Sequence, residues 1–328
     1  MKKIINIRLA AYFAYLLGVA STSVQAAWPE KPITLYVSYA AGATTDITAR
    51  ALGSAAEKIL GVPITIENKA GGGGTVAAGL LASKKPDGYT LLIGSSAPLT
   101  VRPALMKVSY KPSDIVGIIQ YSYFYNGSVV IPADSPIKNI DDFVAYAKAH
   151  PGMSYGTAGS GGVATTSQQI GVEILKKCKG LDFKHVPTKG GTEANTMLMG
   201  KHLDFTSGSG SHLPFVVDGV FKQLVIFQDT RDENFPDMPT LREIGCVYDS
   251  PPNSAMIISA PKGLPPAISQ KLERTFTQIV QSAEFKAMLK RNYLPYDFKD
   301  SQKLAADLAA ETQWYKNYFV SMGVLSKK

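Results

Sequence analysis

Apolar and polar positions along this chain fall into two rhythms that repeat in sequence. Residues 33–39 form a short apolar run with partial alternation, which predicts a strand. Residues 46–60 follow, with Ile47, Ala51, Ala55 and Ile59 at helical spacing, and predict a helix. A second strand is expected at 63–67, a second helix from the glycine run at 71–74 through Ser83, and a third strand at 89–93 after the Pro86-Asp87-Gly88 turn. This order implies parallel strands with helices on both faces of a sheet.

The same grammar restarts downstream. Strands are expected at 129–132, 153–157, 183–187 and 224–227, with helices at 140–150, 165–177 and 192–199. Asp141 and Asp142 fall in the first turn of the 140–150 helix, where the helix dipole favours them. The tail predicts a strand at 256–260 and helices at 265–281 and 301–322. The last carries Leu304, Leu308, Trp314, Tyr315 and Tyr318 and is expected to pack back on the first unit. The expected fold class is therefore α/β, with two lobes facing a cleft, each lobe a mainly parallel sheet flanked by helices. The expected domains are 27–124 with 247–328, and 125–246, with the chain crossing near 118–126 and 245–255.

The N-terminus adds a compartment. Lys2, Lys3 and Arg8 precede an apolar stretch from 9 to 20, and Val24-Gln25-Ala26 supplies small residues for cleavage. Residues 1–26 read as a secretory signal peptide. The stretch is shorter than the roughly 20 residues that span a bilayer. The expected location is periplasmic, which disfavours cytosolic ATP, nicotinamide cofactors and a genome as partners. Removing 26 of 328 residues leaves 302, enough for one large domain or two ordinary ones. Net charge falls from +8 to +5, because three cations leave and no acid does. No dense Lys/Arg run exists, so nucleic-acid binding is not expected, while a weak positive field suits anionic solutes or merely solubility. Cys178 and Cys246 match no metal or redox spacing, and an oxidising compartment permits a bridge that sequence alone leaves open.

Candidate chemistry lies in four small-residue loops after predicted strands: 40–46 (AAGATTD), 94–98 (GSSAP), 157–162 (TAGSGG) and 188–193 (TKGGTE). Ligands of open α/β sheets sit at such strand ends, and small residues there expose backbone N–H groups at helix N-termini to an anion. One such loop is merely a tight turn; four in an exported, two-lobed chain point to carboxylate or phosphate binding. Asp46 reads as a ligand contact or, better, as helix cap and loop organiser. Lys189 reads as a partner for a bound carboxylate or a solvated lysine, and His185 as structural. Tyr121, Tyr123 and Tyr125 share one strand face, so that either they are hinge core or one, such as Tyr123, reaches the cleft. Gly72-Gly73-Gly74-Thr75-Val76-Ala77 matches a dinucleotide fingerprint only formally, with no acid at the required distance. There is no G-x-S-x-G elbow, and His150, His185, His202 and His212 are scattered, so no catalytic residue, metal or cofactor is expected.

Several motifs in order carry a resemblance: Trp28-Pro29-Glu30-Lys31-Pro32-Ile33; Gly42 with Thr45-Asp46; Glu67-Asn68-Lys69-Ala70-Gly71; Pro86-Asp87-Gly88-Tyr89-Thr90-Leu91-Leu92; the 157–162 loop; His185-Val186-Pro187 with Lys189-Gly190; Gly200 with Asp204; Pro236-Asp237-Met238-Pro239-Thr240; and Ala260-Pro261-Lys262-Gly263-Leu264-Pro265. Over nearly all of residues 28–325 the chain resembles the Bug/TctC family, the extracytoplasmic solute receptors of tripartite tricarboxylate transporters. The resemblance implies a type II-like periplasmic binding protein that closes over a small organic anion and passes it to a membrane permease. It implies ligand contacts from the first loop, Ala41, Gly42, Ala43, Thr44, Thr45 and Asp46, facing Ser160, Gly161, Gly162, Lys189, Gly190 and Gly191. Tyr39, Ser95, Ser96, Thr165 and Tyr123 complete the candidate set. Departures from the family pattern bear on the ligand rather than the fold. Ala43 stands at a usual glycine, Thr188 at a frequent aromatic, and Thr165, Thr166 and Ser167 where a histidine is common. A tryptophan is missing near 251–254. The expected protein is a monomeric receptor without cofactor. Its alternatives are a receptor of an ATP-driven importer, a ligand-sensing partner of a membrane sensor kinase, or an exported hydrolase.

Overall fold

The computed structural model describes residues 28–158, 166–208, 210–232, 235–248 and 251–326. The export segment read at 1–26 and the loop residues Ser160, Gly161, Gly162 and Thr165 lie outside the described residues. In chain order the elements are β1 (Ile33–Val37), α1 (Thr44–Leu60), β2 (Ile64–Asn68), α2 (Thr75–Ala82), β3 (Thr90–Ser95), α3 (Arg102–Leu105), β4 (Ile115–Phe124), β5 (Ser128–Pro132), α4 (Ile140–Ala149) and β6 (Met153–Ala158). Then follow α5 (Ser167–Lys179), β7 (Phe183–Thr188), α6 (Gly191–Met199), β8 (Phe205–Thr206), α7 (Leu213–Val217), β9 (Phe221–Ile226), β10 (Ser254–Pro261), α8 (Pro266–Gln281), α9 (Ala283–Arg291) and α10 (Ser301–Ser321).

These strands form two five-stranded sheets, ordered β2-β1-β3-β10-β4 and β7-β6-β8-β5-β9. In the first, β1 runs parallel to β2 and β3, while β10 runs against β3 and β4. In the second, β6 runs parallel to β7 and β8, while β5 runs against β8 and β9. Each sheet is thus mixed, and the reversed strand is the one that follows a crossing of the chain from the other sheet. The crossings lie between β4 and β5, at residues 125–127, and between β9 and β10. The Asn126 Nδ2 donates to the Pro251 carbonyl at 2.7 Å, which ties one crossing to the other.

The interior strand β1 is covered on both faces. Ile33, Leu35 and Val37 are fully buried and Tyr36 nearly so, which explains a continuous apolar run instead of clean alternation. The face of α1 differs from the one the spacing favoured. Ile47 and Ile59 are exposed, and Thr45, Thr48, Ala49, Leu52, Gly53, Ala56 and Leu60 are buried instead. The reason is close approach: a Cβ at Gly53 would meet the Ile66 Cδ1 at 3.0 Å, so the helix sits on the sheet through its small residues. The second lobe centres on Phe143, Phe183, Phe205 and Tyr155, whose rings pack edge-on or stacked. Cys178 and Cys246 form a disulfide with Cα atoms 5.6 Å apart, linking the end of α5 to the segment after β9. The tail returns to the first sheet, where Glu311 of α10 accepts hydrogen bonds from Ser96 and Thr100.

Candidate ligand-binding site

The loop after β1 is built around one carboxylate. Gly42 has φ +78°, a left-handed turn that glycine adopts without cost, and its N–H donates to the Asp46 Oδ2 at 2.9 Å. Arg50 reaches both Asp46 oxygens at 3.0 Å, and the Asn68 Nδ2 donates to the Asp46 Oδ1 and the Tyr39 carbonyl at 2.9 Å each. Burial raises the Asp46 pKa, but the hydrogen bonds from Arg50, Gly42 and Asn68 outweigh it and hold the carboxyl below its ordinary value. The cap of α1 is Ala43, in extended backbone at φ −71°, so the missing second glycine costs this loop nothing. Asp46 stands in the first helical turn, two residues past the start at Thr44, rather than at the cap itself.

This loop forms one wall of a cavity of ≈ 120 Å³ between the two sheets. From the first lobe come Tyr39, Ala43, Thr44 and Thr45, then Ser95, Ala97, Val101 and Arg102, then Phe124, Ser254 and Tyr315. From the second come Thr166, Ser167 and Gln168, then Gly190, Gly191 and Thr192, and Ser211. Three helices therefore begin at this cavity: α1, α5 and α6. First-turn N–H groups have no acceptor within their own helix, and each N-terminus carries a partial positive charge. Thr166 caps α5 through a hydrogen bond to the Gln169 N–H, whereas α6 has no side-chain cap at Gly190. The Ser167 hydroxyl is buried without a hydrogen-bond partner among the described atoms. No aspartate or glutamate lines the cavity among the described residues. Such a wall suits an anion.

Of the sequence-predicted residues, the structure brings Tyr39, Ala43, Thr44, Thr45, Ser95, Gly190 and Gly191 to this cavity. The Tyr39 hydroxyl and the Ser95 Oγ lie 3.0 Å apart. Ala41 and Gly42 belong to the loop that Asp46 fastens. The Ser96 Oγ donates to the Glu311 Oε1 at 3.0 Å and accepts from the Ala255 N–H at 3.0 Å. Burial pushes the Glu311 carboxyl up to about 7 despite those hydrogen bonds. Lys189 is exposed, and its backbone N–H donates to the Glu193 carboxylate. Tyr123 lines a separate cavity beside Gln120, Lys299 and Trp314, while its chain neighbour Phe124 points to the opposite face and reaches the candidate site. Tyr121 is fully buried, with its hydroxyl 2.9 Å from the Thr48 Oγ1. His185 stands off the cavity, 3.0 Å from the Thr157 Oγ1, and burial lowers its pKa.

Arg102, Phe124, Gln168, Ser211, Ser254 and Tyr315 are lining residues that the loop-based reading passed over. Only Phe124 and Tyr315 carried a signal, as aromatics on a predicted hinge strand and the terminal helix. Arg102 sits in a one-turn helix without amphipathic pattern and is identifiable only from the fold.

The arrangement of two mixed sheets, two chain crossings and a cavity at three helix N-termini meets an independent finding. The model of the "Tripartite tricarboxylate transporter family receptor" matches residues 48–320. The chain belongs to this receptor family. Its relatives include a protein of Cupriavidus necator described as "UPF0065 protein in gbd 5'region", 36% identical over 302 residues, covering 90% of this chain and 89% of the relative. Among solved structures, periplasmic binding protein BugD superposes with a TM-score of 0.80 at 25% identity, covering 90% of this chain and 99% of that one. MatC from Rhodopseudomonas palustris, solved with bound malate, gives a TM-score of 0.75 at 26% identity over 88% and 99% of the two chains. The family is one of periplasmic solute receptors rather than enzymes. Among the described residues, this receptor has no helix long and apolar enough to cross a membrane and no metal-binding cluster of His, Cys, Asp or Glu.

Proposed function

We propose that this receptor is exported to the periplasm, captures a small carboxylate in the cleft between its lobes and delivers it to the permease of a tripartite tricarboxylate-type transporter. The observation that carries this reading is the convergence of three helix N-termini on one cavity whose described lining contains no acid. The malate held by MatC supports the same ligand class. The domains proposed to close are 27–124 with 247–328, and 125–246, hinged where the chain crosses. Tyr39, Ala43, Thr44, Thr45, Ser95, Gly190 and Gly191 are the proposed contacts, with Ala41, Gly42, Asp46 and Ser96 holding the loops behind them. Ser160, Gly161, Gly162 and Thr165 complete the second-lobe side in this proposal. The anion favours the closed state because only that state brings both sets of N–H groups to it.

The test is a thermal-shift and calorimetric screen of the protein after unfolding and refolding to strip bound solute. Mono-, di- and tricarboxylates, aromatic acids, phosphate esters and neutral sugars form the panel. A ligand that binds only the native state raises the melting temperature by mass action. A carboxylate hit is expected. A shift from neutral solutes alone, with none from any acid, overturns the reading.

A further inference from the structure

A buried carboxyl lies two hydroxyls away from the interior of the ligand cavity. Glu311 of α10 accepts from the Ser96 Oγ at 3.0 Å and the Thr100 Oγ1 at 2.9 Å, and both bonds fall on its Oε1. The Ser96 Oγ in turn stands 3.4 Å from the Ser254 Oγ, and Ser254 lines the cavity. Ser95 and Ala97, the chain neighbours of Ser96, line it as well, and so does Tyr315, one turn along α10 from Glu311. A ligand oxygen bonded to Ser254 therefore lies within about 10 Å of the carboxyl.

On its other side Glu311 lines the separate cavity that also holds Gln120, Tyr123, Asp297, Lys299, Asp307 and Trp314. Lys299 pairs with Asp307 at 2.8 Å and with Asp297 at 3.4 Å, and Lys303 pairs with Asp307. Lys299 draws the Glu311 pKa down while Asp307 pushes it up, and Glu311 makes no ion pair of its own among the described residues. Past Thr100, the next charged residue along the chain is Arg102, in α3. Lys299 and Asp307 are partly exposed, so protons reach this side from solvent. Burial pushes the Glu311 carboxyl up to about 7, so both of its states are populated near neutral pH.

An ionised Glu311 and a bound anion are like charges. At an effective dielectric constant of about 20, a unit charge about 10 Å away makes the protonated form roughly tenfold more favourable. Linkage is reciprocal, so the protonated receptor binds the anion more tightly by the same factor. Resting on the receptor reading above, we infer that Glu311 takes up a proton as the carboxylate enters the cleft, so that the receptor loads anion and proton together.

The probe is the tightest-binding carboxylate of the screen, with malate, succinate, adipate and benzoate as its first members. All four are ionised at about pH 7.5 and contribute no proton of their own. A pH-stat titration in unbuffered sodium chloride is expected to consume about half a proton per anion bound at that pH. Calorimetry is expected to show affinity falling up to about tenfold as pH rises from about 6.5 to about 9. Glu311→Gln keeps an acceptor for Ser96 and Thr100 without the charge. It is expected to bind with an affinity that stays level over this range and to consume no proton. Binding without proton uptake by the unaltered protein overturns the inference. Undiminished uptake in folded Glu311→Gln assigns the proton to another group, such as His185, and overturns it too. If Glu311→Gln does not fold, carbon-13 NMR of the Glu311 carboxyl in the unaltered protein decides. A resonance that does not move toward its protonated position when the anion is added overturns the inference. In each of these cases the receptor reading stands. Binding of neutral solutes with none of any acid overturns both.

Discussion

The Asp46 carboxylate, itself 3% exposed, accepts from the Gly42 N–H, from Arg50 and from Asn68, so Asp46→Ala leaves three donors without their acceptor. A buried donor stripped of its partner costs about 1–3 kcal/mol. Arg50 is more than half exposed and Gly42 is exposed too, so both rehydrate easily and the loss comes mainly from half-buried Asn68. Asp46→Ala is expected to lower stability by about 1–3 kcal/mol in urea unfolding and to weaken carboxylate binding at least tenfold by calorimetry. Asp46→Asn is expected to recover part of both, since its amide oxygen still accepts. The pH dependence has a definite sign. A carboxyl with a depressed folded pKa contributes stability that is complete above its unfolded value, about 3.9, and is lost as pH falls through the lower folded value. Wild type and Asp46→Ala are therefore expected to converge in strong acid; a gap undiminished there would assign the stability to something other than this charge. At this scale the sequence was partly readable. AAGATTD advertises a loop that exposes N–H groups, and an acid just past it advertises an organiser. Arg102 advertises nothing, because its place in the cavity wall, packed against Gly73 twenty-nine positions away, is set only by the fold.

Between elements, the telling contact is α10 against the end of β3. Glu311 is 6% exposed and accepts from the Ser96 Oγ at 3.0 Å and the Thr100 Oγ1 at 2.9 Å. Burial raises its pKa from 4.5 to about 7, a difference worth roughly 3 kcal/mol. An acid with a raised folded pKa binds its proton more tightly when folded, so stability falls as pH rises from about 4.5 to about 7 and is flat above. Glu311→Gln keeps an acceptor and removes the charge. It is expected to abolish that decline and to be about 1–3 kcal/mol more stable than wild type at pH 8, read by urea unfolding across pH. Parallel curves for the two proteins would sink the argument. The helix itself was visible in the sequence from its apolar spacing, as were the β1–β3 and β6–β7 regions from their short apolar runs. What was not visible follows from packing. The two-residue β8 is too short for a pattern, and α1 turns its small residues rather than Ile47 and Ile59 to the sheet. The order that both sheets share, with one reversed strand after each crossing, leaves no sequence repeat, because topology constrains strand direction and burial but not residue identity.

Across the whole molecule the two lobes meet in an apolar cluster. Ile170 of α5, in the second lobe, packs with Val101, Tyr315 and Phe319 of the first, and all four are nearly or fully buried. Contacts of this kind exist only while the lobes are together, so in the proposed closure they act in the same direction as a bound anion. Asn126, bonded to Pro251, ties the two crossings to each other, and in the proposed closure the cluster is the part of the interface that opens. Shortening Ile170 to alanine removes buried methylene groups, at a total cost of about 2–5 kcal/mol for such a site. Some of that falls on the packing of α5 within its own lobe. The share that falls on the lobe–lobe contact lowers the closed fraction, and apparent affinity falls in proportion to the binding-competent fraction. Ile170→Ala is expected to bind its carboxylate roughly tenfold more weakly, equivalent to about 1.4 kcal/mol of interface, and to show a larger radius of gyration by small-angle scattering at subsaturating ligand. Leu175→Ala is the control, since Leu175 lies on the same helix, fully buried in the second-lobe core and outside the cluster. It is expected to lower the unfolding free energy by a similar amount while leaving the affinity of the folded protein unchanged. Equal affinity losses in the two variants would mean that general loosening of α5, rather than the contact between lobes, governs binding. No loss in either would remove the cluster from the closure equilibrium altogether.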